Sequence, residues 1–63
     1  MSKPIPTVML IWVKSNENHE DIVVHIETVQ KVVKVGDRLW SDRLDRFGKI
    51  ESETPTNFYV RVE

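Results

Sequence analysis

The sequence has no cysteine, which excludes a disulfide scaffold, a thiol nucleophile and any thiolate-ligated zinc. Alanine is absent and there are only three leucines, so strong helix formers dominate no window of a dozen residues. The only glycines are Gly36 and Gly48, too few and too far apart for a phosphate-cradling loop. The longest apolar run, Val8–Val13, is six residues, against the roughly 20 that a membrane helix needs. An excess of one charge is missing too: nine Lys and Arg face ten Asp and Glu, for a net charge of −1. Such a balance generates no whole-molecule field of the kind that coats DNA or imitates it. Met1–Thr7 lacks the basic start, apolar stretch and small-residue cleavage site of a signal peptide, so a cytoplasmic setting is expected.

What is present is β-branched. Ten Val, five Ile and four Thr supply 19 of the 63 residues, and such side chains lose rotamer freedom in helices but pack well on pleated sheets. The length allows one domain, read as a flexible arm over 1–6 followed by a single β domain over 7–63. Pro4 and Pro6 have no amide to donate to a ladder and set the arm apart. A core this small is marginal without disulfides or metal, so self-association, or a partner covering apolar surface, gains weight.

Along the chain, Thr7–Lys14 is a strand apolar on both faces, which calls for burial on both sides. Ser15–Asp21 is a polar loop, read as the long mobile tip of a hairpin. Ile22–Thr28 alternates as a second strand. Val29–Val35 is ambiguous: Val29, Val32 and Val33 have helical spacing, while four Val in seven residues favour an extended segment, the preferred reading. Gly36-Asp37 turns into Arg38-Leu39-Trp40, and Ser41–Gly48 is a connection with room for one short helical turn. Phe47–Glu53 and Asn57–Glu63 are strands joined at Thr54-Pro55-Thr56.

The stretch Val35-Gly36-Asp37-Arg38-Leu39-Trp40…Phe47-Gly48-Lys49-Ile50 resembles the central hairpin of SH3-like barrels. The resemblance bears on fold and not on function. The expected architecture is all-β: a small SH3-like barrel or a strongly bent antiparallel sheet of four to six short strands.

Two sets of side chains compete as a binding surface. If Leu39 and Phe58 face the core, alternation turns Trp40 and Tyr59 outward, and with Arg38 and Arg61 they form a face suited to a protein partner, with Arg43 and Arg46 on its rim. In a competing reading, Trp40 merely closes one end of the barrel. The second set, Arg38, Trp40, Arg43, Arg46, Phe47 and Lys49, interleaves cations with aromatics as single-strand nucleic-acid binders do. The interspersed Asp37, Asp42 and Asp45 cancel much of that field, and local ion pairs on a solvated turn explain the pattern as well.

Metal and catalytic sites find less support. His19 and His25 could join Glu17, Glu20 or Asp21 around zinc, but a loop and a mid-strand position fix no geometry. Ser2, Ser15, Ser41 and Ser52 have no base nearby, and Asp42, Asp45, Glu51 and Glu53 are ordinary for polar loops. A drug-sized cleft would consume much of so small a core. The chain therefore reads as a non-enzymatic module without metal or cofactor: an adaptor, inhibitor or accessory subunit, with nucleic-acid binding as the alternative. Open sheet edges at Val29–Val35 or Thr7–Val13 offer a template for strand addition or a strand-paired dimer.

Overall fold

A computed structural model describes residues 4–63. It is all-β, with β1 Thr7–Ser15, β2 Asp21–Gln30, β3 Arg38–Ser41, β4 Arg46–Glu53 and β5 Asn57–Val62. No helix occurs among the described residues, and none is therefore long and apolar enough to cross a membrane. The strands form one strongly curled, half-barrel sheet in the order β2-β1-β5-β4-β3. Three pairings are antiparallel, but β1 and β5 run parallel, with Leu10 beside Phe58 and Trp12 beside Val60. That one pairing departs from a purely antiparallel sheet.

Register assigns the faces. Val8, Leu10 and Trp12 of β1 share the concave face with Phe58, Val60 and Val62 of β5, Gly48 and Ile50 of β4, and Leu39 of β3. Leu10, Trp12, Leu39, Ile50 and Val60 form the core, with half-buried Val8, Val24, Val29, Val33, Leu44, Phe58 and Val62 packed against them. The opposite, convex face carries Ile11 and Val13, both buried, between Ile26 and Tyr59 in one row and Val23 and Arg61 in the next. Flanking strands on each side thus account for β1 being apolar on both faces.

Two bulges help to bend the sheet. Val24 of β2 is extra between the pairs Trp12–His25 and Val13–Val23, and Glu51 of β4 is extra between Ile50–Val60 and Ser52–Tyr59. An extra residue kinks its strand and increases the local twist. The seven residues Lys31–Asp37 connect the two sheet edges, and Val33 within them packs on the core. Fully extended they span at most ~25 Å, so the sheet's curl and this short connection suit each other.

Gly48 sits where the core is tightest. A Cβ added there would collide with the Trp12 ring, with Val60 Cγ1 at 2.7 Å and with Trp12 Cε3 at 2.9 Å. The large indole of Trp12 is fully buried because Gly48 leaves room for it. Its N–H donates to Glu27 Oε1 at 3.2 Å, and no buried side-chain polar atom lacks a partner among the described residues.

Several local readings change in the structure. The β1–β2 tip is closed rather than loose: Asn16 Oδ1 accepts from the amides of Asn18 and Glu20, and His19 adopts a positive φ of 63°. Val29 and Gln30 extend β2, and the rest of Val29–Val35 is neither strand nor helix. The segment Ser41–Gly48 contains no helical turn. β3 runs on to Ser41, a four-residue turn with Asp45 at φ 55° follows, and β4 begins at Arg46. Of the arm over 1–6, residues 1–3 lie outside the described residues. Pro6 O accepts from Lys31 N at 3.1 Å, and Ile5 O accepts from the Gln30 side chain.

Candidate binding face

The convex side of β3 and β4 gathers the exposed aromatics. Leu39 points into the core, which turns Trp40 outward at 47% exposure, and its register partner Phe47 is 39% exposed. Their rings meet edge-on with centroids 4.8 Å apart. Edge-to-face pairs at this spacing are favoured by the ring quadrupoles. The Arg38 guanidinium lies over Phe47, 3.9 Å from its centroid, and donates to both Glu63 oxygens at 2.8 and 2.9 Å. The Trp40 indole N–H donates to Asp42 Oδ1 at 2.7 Å. Each aromatic is therefore held by a neighbour, and the result is a preorganised platform on short, paired strands.

A row of cations crosses the same face. Arg38, Lys49 and Arg61 lie side by side on β3, β4 and β5. Arg61 is the most heavily bonded. It donates to Asp21 Oδ1 and Oδ2 at 2.7 and 2.8 Å, and to Glu51 Oε2 and Oε1 at 3.0 and 3.1 Å. It also donates to Ser15 Oγ at 3.2 Å. Hydrogen bonds to Asp21 and Glu51 push the Arg61 pKa still higher, and those from Arg61 hold Asp21 below the usual carboxylate range. The Arg38 contact raises the arginine's pKa and lowers that of Glu63 in the same way.

The structure divides both sets of sequence-derived residues. Arg38, Trp40, Phe47 and Lys49 share the convex face, whereas Arg46 pairs with Ser41 on the concave side and its guanidinium donates to Asp45 O. Arg43 is exposed in the turn after β3. Tyr59 is only half exposed and pairs with Ser52, five positions along β4 from Phe47 and so roughly 17 Å from the Trp40 platform. Tyr59 therefore stands apart beside β1, whereas Arg61 adjoins the platform through Lys49. Trp40 does not cap the barrel end, because its ring is on the outer face. Glu63, which fixes Arg38, carried no signal in the sequence: an acid at this position becomes meaningful only once β5 lies beside β4.

The remaining candidates also find their places. His25 contacts Glu27 at 3.4 Å, while His19 stands in the β1–β2 turn. Among the described residues no three His, Asp or Glu side chains converge as a metal site would need. A cleft of about 520 Å³ opens at one end of the half-barrel, lined by Lys14, Val24, Leu44, Arg46, Val62 and Glu63, with Ser15 and Arg61 at its margin. The cleft is half open to solvent and lies at the sheet's end, so it does not hollow the core. Its lining mixes cations, the Glu63 carboxylate and apolar surface, and Ser15 Oγ is bonded to Asp21 and Arg61 with no histidine beside it. No family model matches the chain, and neither a curated protein nor a solved structure does.

Proposed function

We propose that this chain is a non-enzymatic binding module, an adaptor, inhibitor or accessory subunit working in the cytoplasm, and that it docks on a protein through the Arg38–Trp40–Phe47 platform. The observation that carries this reading is the exposure of two aromatic rings held on paired strands by their neighbours. Trp, Tyr and Arg dominate the energetics of protein interfaces, and rigid anchors lose little entropy on binding. Lys49 and Arg61 continue the platform's row of cations, Arg43 is exposed in the turn after β3, and Tyr59 provides a second, more distant contact.

Charge favours a protein over a nucleic acid. Arg38 and Arg61 already face carboxylates, and Asp42 occupies the Trp40 indole. A phosphate backbone would have to displace Glu63 and meet Asp42, whereas a protein surface can bury the rings and leave those pairs at its rim. The test is capture from a lysate of the source cells, with and without nuclease, using the wild type and Trp40→Ala. A stoichiometric protein that survives nuclease and is lost with Trp40→Ala, while circular dichroism shows the variant folded, supports the reading. Recovery that vanishes with nuclease, and affinity falling steeply with salt, would transfer the surface to nucleic acid.

A further inference from the structure

The two sheet edges are unequal. β3 is four residues long, but β2 has ten, and neither Lys nor Pro occurs within it. Lys and Pro are two of the usual guards of an edge strand; β2 has instead the bulge at Val24, which lies outside the stretch from His25 to Gln30, and the inward-facing Glu27. β1, by contrast, is enclosed between β2 and β5, so the Thr7–Val13 run is no edge.

Backbone geometry shows where the β2 edge is open. The amide of Lys31 donates to Pro6 O, making Lys31 and Pro6 a hydrogen-bonded pair next to Gln30–Thr7. Antiparallel ladders alternate hydrogen-bonded and non-bonded pairs. Counting back, the backbone groups of Val29, Glu27 and His25 point to β1, and those of Gln30, Thr28 and Ile26 point away from it. The bulge at Val24 interrupts this pattern at one end, and the chain bends at Lys31 at the other. The free edge is thus three outward residues with Thr28 at their centre.

We propose that β2 pairs with β2 of a second copy of this chain, antiparallel, about a two-fold axis through Thr28. Three conditions select this register. Opposed residues must point to the same face, which limits the axis to in-register positions. Only the axis at Thr28 satisfies all three outward residues, through the pairs Ile26–Gln30′, Thr28–Thr28′ and Gln30–Ile26′, where a prime marks the copy. Charge then agrees: Glu27 lies opposite Val29′ rather than its own copy, and Lys31 comes diagonally beside Glu27′, within reach of a long side chain. An axis at Glu27 would oppose two carboxylates directly.

The convex surface gains from the same pairing. Ile26 is 55% exposed and stands in one row with buried Ile11, and pairing covers its free flank with Gln30′. The shared edge is roughly 20 Å long, small against a permanent interface, which makes the dimer concentration-dependent. Because both copies use the same edge, the contact closes on itself and does not propagate into a fibre. The platform on β3 and β4 remains free, so this inference stands apart from the proposed protein docking.

Sedimentation equilibrium of the full chain, from micromolar to millimolar concentration, tests the association, and single cysteines test the register. Paired strands hold hydrogen-bonded partners about 5.5 Å apart at Cα, a separation that a disulfide spans. Under mild oxidation Thr28→Cys should therefore cross-link at least about tenfold faster than Ile26→Cys, whose copies would lie roughly 14 Å apart. The wild-type mass should rise towards two chains, and Ile26→Lys should hold it at one while its circular dichroism stays that of the wild type. A mass of one chain throughout overturns the proposal. Cross-linking of Ile26→Cys in preference to Thr28→Cys overturns the register.

Discussion

At Gly48, what matters is the absence of a side chain. Trp12 and Val60 occupy the space that a Cβ would take, so Gly48→Ala forces the indole out of position. Overpacking of this kind costs about 1–3 kcal/mol, measurable as a lower urea midpoint at an unchanged slope. Gly36 has a different reason to be glycine: its φ of 100° is strained for other residues, while the space around it is open. Glu27 acts on the same indole from the side. Glu27→Leu leaves the N–H of the fully buried Trp12 without an acceptor, a loss of about 1–3 kcal/mol, whereas Glu27→Gln keeps a carbonyl there. Denaturation of the two variants should separate them, with the glutamine close to wild type.

Strands and turns differ in how far the sequence announces them. The first strand is found at Thr7 as expected and runs one residue beyond Lys14, and Phe58, Val60 and Val62 share a face as their alternation indicates. Leu39 inward and Trp40 outward also follow from alternation. What alternation cannot supply is partnership. The parallel β1–β5 pairing, the bulge at Glu51 and the Arg38–Glu63 contact all depend on residues far apart in the chain. The side that Arg46 takes depends on the length of the turn before it. Arg61 illustrates the energetic side: its guanidinium links Ser15 of β1, Asp21 of β2 and Glu51 of β4. Because Asp21 and Glu63 titrate below their unfolded values, their pairs stabilise the fold at neutral pH, and this contribution is lost as pH falls through the depressed folded values. Thermal unfolding should therefore give a lower Tm in acid, with a smaller decrease in Arg61→Met, where Asp21 has no arginine to lose. High salt should narrow the same difference.

The molecule as a whole separates what holds it together from what it presents. The concave side carries the core and the convex side carries the platform, so stability and recognition should respond to different substitutions. Trp40→Ala and Phe47→Ala should lower stability by no more than about 1 kcal/mol while abolishing partner capture, whereas Gly48→Ala should do the reverse when assayed below its Tm. Calorimetry and capture on the same three variants check this division.

The parallel β1–β5 seam also governs the order in which the molecule folds. Met9 pairs with Asn57, about three quarters of the chain's length away, while β1–β2 and β3–β4–β5 are each built from neighbours in sequence. Two locally assembled halves must then find each other, and the entropy of closing so long a loop is lost before any contact at the seam repays it. On a ribosome, β1 and β2 must wait for β5 to emerge. Until then the apolar flank of β1 that β5 will cover stays bare, and this interval is when the chain is most exposed to aggregation.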